Sequence, residues 1–184
     1  MTTTVPARTP PATWWRVLVP VTIGSLVAVA LGVYGGLHQP AGYSIDVAGF
    51  SSTQSVKSWL TTVAVLLGVV QLISALMMYG RIPGPSWAGT LHRWSGRLAV
   101  VCIVPVVVHC LYALGFQTYA PRVLVHGLLG CFFFGAFTAK MLLLTHKNLP
   151  GWVIPVAGGA LFSGLVALWL TSSFWFFTAF GVGF

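Results

Sequence analysis

Five apolar runs, 14–36, 58–80, 92–115, 122–145 and 151–178, take up most of this 184-residue chain. Each is about as long as the roughly 20 residues a helix needs to cross the hydrocarbon of a bilayer. Nothing large enough for a soluble domain remains between them. With 57% hydrophobic and 5% charged residues the chain could not be kept in solution by its surface. The expected fold class is therefore all-α, an integral membrane bundle of five transmembrane helices forming one domain over 1–184.

The first run follows Arg8 and Arg16 and superficially has the layout of a signal peptide. Its apolar stretch from Val17 to Tyr34 is too long for a cleavable core, and no small-x-small site follows, so a retained helix is expected. Basic residues alternate in density along the chain. Arg8, Arg16, Arg81, Arg93, Arg97, Lys140 and Lys147 fall on one side of the spans, against Lys57 and Arg122 on the other. By the positive-inside rule the amino terminus is cytoplasmic and the carboxyl terminus outside, in a multi-pass plasma-membrane protein. The net charge of +8 is thus topological, and no long basic surface exists to hold nucleic acid.

Cys102, Cys110 and Cys131 all fall inside spans without a C-x-x-C spacing and read as small apolar core residues. In the fourth span Gly127, Cys131, Gly135 and Ala139 recur at every fourth position, a ridge that lets another backbone approach closely. Gly159, Ser163 and Ala167 repeat the device in the fifth. The outer loop, 37–57, is the one long connection; it holds the sole acid, Asp46, and a surface histidine, His38. A loop of that length is either a tether or a docking site.

Four histidines lie on the third and fourth runs: His92, His109, His126 and His146. The point midway between His109 and His126, between Gln117 and Thr118, falls within the connection FQTYAP, so an antiparallel hairpin sets those two imidazoles at about one depth. His92 is 17 residues from His109 and His146 is 20 from His126, about 25 and 30 Å along a helix, which puts both at the cytoplasmic edge. Paired neutral imidazoles are the ligand set of a bis-histidine heme iron. Zinc or copper is the other use of such a pair. Zinc would want two more ligands, and Cys110 points about 100° away from its neighbour His109. The rungs are not equivalent, because 17 residues rotate the face by about 260° and 20 by about 200°. Pro105 can kink the helix between them.

The spans hold cations but no acid. Arg97 and Lys140 sit a turn or more inside the cytoplasmic ends, where they snorkel to headgroups or take an anion from outside the chain, a heme propionate or a lipid phosphate. Arg122, four residues before His126, is placed to meet a propionate of an outer heme.

The stretch LHRWSGRLAV, followed by His109 on the same helix and by a second histidine-bearing helix, resembles the cytochrome b-561 and ferric-reductase-like transmembrane b-type cytochromes. HCLYALGF and KNLPGWVIPVAGG also resemble an uncharacterised family of small bacterial membrane proteins. The cytochrome resemblance, over about 90–150, implies heme b and electron transfer across the membrane. It further implies axial ligation by His109 and His126, with His92 and His146 as a second pair, hence one heme or two. The expected function is an electron-transfer protein or oxidoreductase subunit without a nicotinamide or flavin fold of its own. Its expected partners are membrane lipids and a quinone or small redox protein at the outer loop. The alternative is a heme-free structural or assembly subunit of a larger membrane complex.

Overall fold

The computed structural model describes residues 14–42 and 52–182. It has α1 (Trp15–Leu37), α2 (Thr53–Met78), α3 (Ala88–Val108), α4 (Pro121–Leu143) and α5 (Val153–Trp169), and no strand among the described residues. Two of these helices end in wider π turns: α3 continues through His109–Ala113, and α5 through Leu170–Phe174 into a last helical stretch, Trp175–Phe180. All five are long and apolar enough to cross a membrane. The end of the bundle where α1 begins is called proximal below, and the opposite end distal.

α2 begins five residues earlier than the apolar run at 58 suggests. Ser52 caps it, its Oγ accepting the Ser55 N–H at 3.2 Å, so the polar residues before Ser58 form the first helical turn rather than loop. The expected 37–57 loop shrinks accordingly. Its described start folds back on α3, the Ala41 and Gly42 N–H groups donating to the Tyr112 and Ala113 carbonyls at 3.2 and 3.1 Å. Asp46, and with it the proposed docking stretch, lies outside the described residues.

Burial is distributed as a bilayer demands. Large aliphatic side chains such as Val101 and Leu128 are exposed, whereas Ser55, Ser58, Thr61, Ser74 and Ser95 are buried between helices. Lipid tails solvate leucine as well as a neighbouring helix does, so close packing of small residues decides which helices meet. Three of the buried hydroxyls are satisfied on their own helix: Thr61, Ser74 and Ser95 each donate to the carbonyl four residues back, at 2.7, 2.7 and 2.8 Å.

The ridge on α4 finds its partner on α1. A Cβ built at Gly24 would stand 2.4 Å from the Gly135 carbonyl oxygen and 2.8 Å from the Ala139 Cβ, and one at Gly135 would stand 2.8 Å from the Ala28 Cβ. The same device on α5 does not serve the bundle. Gly159 and Ser163 are exposed, and no atom lies within 4 Å of a Cβ built at Gly159. On α5 it is Gly164 that meets Phe132 and Phe133 of α4.

α2 packs on α3, α1 on α4, and α5 joins the two pairs through contacts with both α4 and α2. α3 and α4, consecutive in the chain, are not packed side by side. The hairpin suggested by the sequence is therefore an open one. Ala64, Ile103 and Leu165, with Phe133 and Phe134 beside them, close the gap at its middle.

The α2–α3 pair carries a polar seam. Gln71 Nε2 donates to the His92 carbonyl and to Ser95 Oγ, the latter at 2.9 Å, and Gly96 leaves room for the amide. Gln71→Leu is expected to lower stability by about 0.6–2 kcal/mol, the range for interhelical hydrogen bonds in membranes, in a detergent-unfolding titration. An unchanged midpoint would show that the seam contributes nothing to the α2–α3 contact.

Candidate functional site

Where α3 and α4 part, the distal half of the bundle holds a cavity of about 820 Å³. Its floor is the central cluster of Ile103, Phe133, Phe134 and Leu165, and its rim reaches Gln54, Gln117 and Tyr119 at the distal end. The volume is in the range of sites that enclose a cofactor-sized molecule. Most of the wall is apolar and aromatic. The exceptions are His126, two cations, Lys57 and Arg122, and a few hydroxyls and amides. Among the described residues there is no Asp or Glu for these cations to pair with.

His126 stands on the wall and is held from α5. Its Nδ1 lies 3.0 Å from Thr171 Oγ1, and that hydroxyl lies 2.9 Å from the Ala167 carbonyl one turn earlier. Thr171 is in the π turn Leu170–Phe174. Arg122 secures the same turn from α4: it donates to the Thr171 carbonyl at 2.5 Å, and its guanidinium lies 3.7 Å from the centroid of the Trp175 ring. Part of its hydrogen-bonding capacity is thus spent on the protein, and the rest of the five-donor fork still borders the cavity.

The other π turn is secured in the same way. His38 stacks between Tyr34 and Tyr112, at centroid distances of 5.0 and 5.1 Å, and its Nε2–H donates to the Tyr112 carbonyl at 2.9 Å. The sequence places His38 on the surface, and there it acts as a clasp joining α1 to the end of α3. π turns interrupt the regular ladder, are uncommon and concentrate at functional sites. Here one supplies Cys110 and Leu111, the other Thr171 and Ser172, to the walls of a single cavity.

His109 begins the first of these turns and is 5% exposed, with no hydrogen-bond partner on either ring nitrogen. It does not line the cavity; its neighbour Cys110 does. Lys57 is near enough to interact electrostatically with His109, Cys110 and His126 alike, so the three belong to one neighbourhood at the distal end. The sequence sets the two imidazoles at one depth; of the two, only His126 lines the cavity.

The remaining sequence-derived residues lie elsewhere. His92 is in the α2–α3 seam, its Nδ1 3.0 Å from Ser74 Oγ and 3.1 Å from the Gln71 carbonyl. His146 lies beyond the end of α4, edge-on to Trp15 of α1 at 6.0 Å, while Arg16 donates to the neighbouring Lys147 carbonyl at 3.0 Å. His92 turns to α2 and His146 to α1, and they are not brought together. Arg97 is exposed on α3 over the Trp94 ring, 5.1 Å from its centroid. Lys140 reaches across to α5, where a Cβ at Gly158 would lie 3.9 Å from its Nζ. Neither cation touches the cavity. Cys110 and Cys131 line it, and only Cys102 packs against the central core.

Lys57, Thr171 and Trp175 escape the sequence reading. Lys57 passes for loop because its turn is polar. The hydroxyl-rich LTSSF run inside an apolar span is a legible signal, since polar groups at membrane depth mark function by default.

No group of three or more metal-ligating side chains occurs among the described residues. No curated protein and no solved structure matches the chain. A family model matches residues 17–184, and the chain belongs to that family, DUF6529, a family of unknown function.

Proposed function

We propose that this protein is a membrane b-type cytochrome, carrying single electrons within or across the plasma membrane through heme b in the distal cavity. The observation that carries the reading is the pair of distal histidines. His126 is on the cavity wall with one nitrogen anchored to Thr171, and His109, one residue from the wall, is buried with neither nitrogen partnered. An imidazole kept in lipid without a partner is costly unless it has a ligand to bind. His126 and His109 would be the axial ligands. Lys57 and Arg122 would receive the propionates at the rim, and Phe116, Phe133 and Phe134 would exclude water from the ring faces. When bound, heme supplies a one-electron couple whose potential follows its axial ligands and their hydrogen bonds. The donor and acceptor are then separate molecules, a quinone or a small redox protein at the distal end.

In this reading the proximal end, with Arg16, Arg81, Arg93 and Lys147, faces the cytoplasm, and the cavity opens outside. Arg97, exposed over Trp94, meets lipid phosphates, and Lys140 snorkels from the α4–α5 contact.

A heme-free assembly subunit is the second reading, and one observation favours it: the exposed Gly159 and Ser163 on α5, which suit a helix of another chain.

The test is the reduced-minus-oxidised visible spectrum of protein purified from heme-supplied cells, with a pyridine hemochrome count. One heme per chain is expected, since only the distal histidines share a neighbourhood. A colourless preparation would overturn the proposal in favour of the subunit reading.

A further inference from the structure

We infer that Thr171 is a positioning residue that fixes the tautomer of His126, so that Nε2 rather than Nδ1 is the nitrogen free to take a ligand. The inference deepens the proposed heme reading and rests on it for what the ligand is. It rests on the hydrogen-bond network alone for which nitrogen is free.

A threonine hydroxyl has one hydrogen to donate. In Thr171 the carbonyls of Ala167 and Leu168, at 2.9 and 3.1 Å, both compete for it, so it is committed to the preceding turn. Toward His126 the oxygen can only accept. Nδ1, 3.0 Å away, must therefore be the protonated nitrogen of the neutral ring, and Nε2 carries the lone pair. This is the arrangement by which metal-binding imidazoles are oriented, the far nitrogen donating to a neighbouring acceptor.

A second grip holds the same turn: Arg122 donates to the Thr171 carbonyl at 2.5 Å, one turn before His126 on α4. Trp175 lies against the guanidinium at 3.7 Å. The same residue is thus gripped at its carbonyl by Arg122 and at its hydroxyl by His126, two side chains of one helix face. The pitch of α4 sets the distance between the two grips, and the π turn sets how α5 meets them. Any sliding of α5 along α4 would break both bonds together. The PRVLVH stretch of α4 and the LTSSF stretch of α5 therefore act as one unit.

Thr171→Val removes the hydroxyl at nearly constant shape, and Thr171→Ser restores it. Two measurements read the inference. The first is ¹⁵N NMR of histidine-labelled protein without heme, with His126 assigned by its loss in His126→Gln. The native protein and Thr171→Ser are expected to show the Nδ1–H tautomer of His126, and Thr171→Val a mixture shifted toward Nε2–H. The second is heme titration, in which Thr171→Val is expected to bind about 10–100-fold more weakly, the usual effect of losing such an outer partner, with Thr171→Ser near native. If the native protein carries the His126 proton on Nε2, the inference is overturned whether or not the valine variant folds. It is equally overturned if the tautomer is Nδ1–H and valine leaves it unchanged. A native protein that shows the expected tautomers yet binds no heme would overturn the proposed function while leaving the role of Thr171 in place.

Discussion

His126→Ala is expected to abolish heme b absorbance, to below a tenth of the native content per chain, and His109→Ala to do the same or to leave a weakly held high-spin form. His92→Ala and His146→Ala are expected to retain it. The asymmetry follows from placement. His126 is the one histidine on the cavity wall, and Thr171 holds it there, whereas His92 is turned into the α2–α3 seam and hydrogen-bonded to Ser74 and Gln71. His146 stands past the end of α4 against Trp15. Visible spectra and hemochrome counts on the four variants, each compared at equal folded protein by size-exclusion chromatography, decide the matter. Heme lost from His92→Ala and retained in His126→Ala would move the cofactor to the proximal half and refute the assignment made here.

The second large effect is expected at the α1–α4 crossing. Gly24→Ala places a methyl 2.4 Å from the Gly135 carbonyl oxygen, and Gly135→Ala places one 2.6 Å from the Gly24 oxygen. Both obstacles are backbone, which no rotamer change can move, so the helices must separate and surrender the contacts along the whole ridge. Each substitution is expected to destabilise the protein by about 1–3 kcal/mol, the ordinary cost of overpacking, and Gly24→Leu by more. Gly36→Ala is the control. Nothing lies within 4 Å of its Cβ, and it should stay within about 0.5 kcal/mol of native. Unfolding in increasing SDS, followed by far-ultraviolet circular dichroism, measures the series. If Gly24→Ala matches Gly36→Ala, the two ridges are not in contact.

The ridge illustrates what could be read in advance. On α4 the four-residue repetition of Gly127, Cys131, Gly135 and Ala139 is plain, and Gly135 and Ala139 meet Gly24 of α1 in the tightest glycine contact between helices among the described residues. Nothing in the repetition names α1 as the partner. Gly159 and Ser163 have the same pattern and face outward. A small-residue stripe announces that close packing is sterically allowed; which stripe is used depends on the shapes of all the other helices.

The histidines divide in the same way. Their depths follow from the 1.5 Å rise per residue and needed no tertiary information. Their facing does not, because a single π turn shifts the helical phase by about one residue, roughly 100°, and such turns leave no clear mark in sequence. His109 and Cys110, about 100° apart around the helix, face differently: the cysteine lines the cavity and the histidine is buried beside it. Arg122 was legible as a cation a turn from His126, yet its bond to the Thr171 carbonyl required a residue 49 positions away.

By itself, then, the sequence determined the solvent, the number of spans, their boundaries to within a turn at most ends, and the position of each ionisable residue along its helix. These depend on local quantities, apolar run length and helical rise, that act within one helix. The tertiary structure decided that α3 and α4 stand apart with α5 bridging the pairs. It decided also that a cavity fills the gap, and which nitrogen of which histidine is held beside it. Those outcomes turn on which surfaces fit most closely when lipid rewards all apolar surfaces about equally, and a chain read one residue at a time does not contain that comparison.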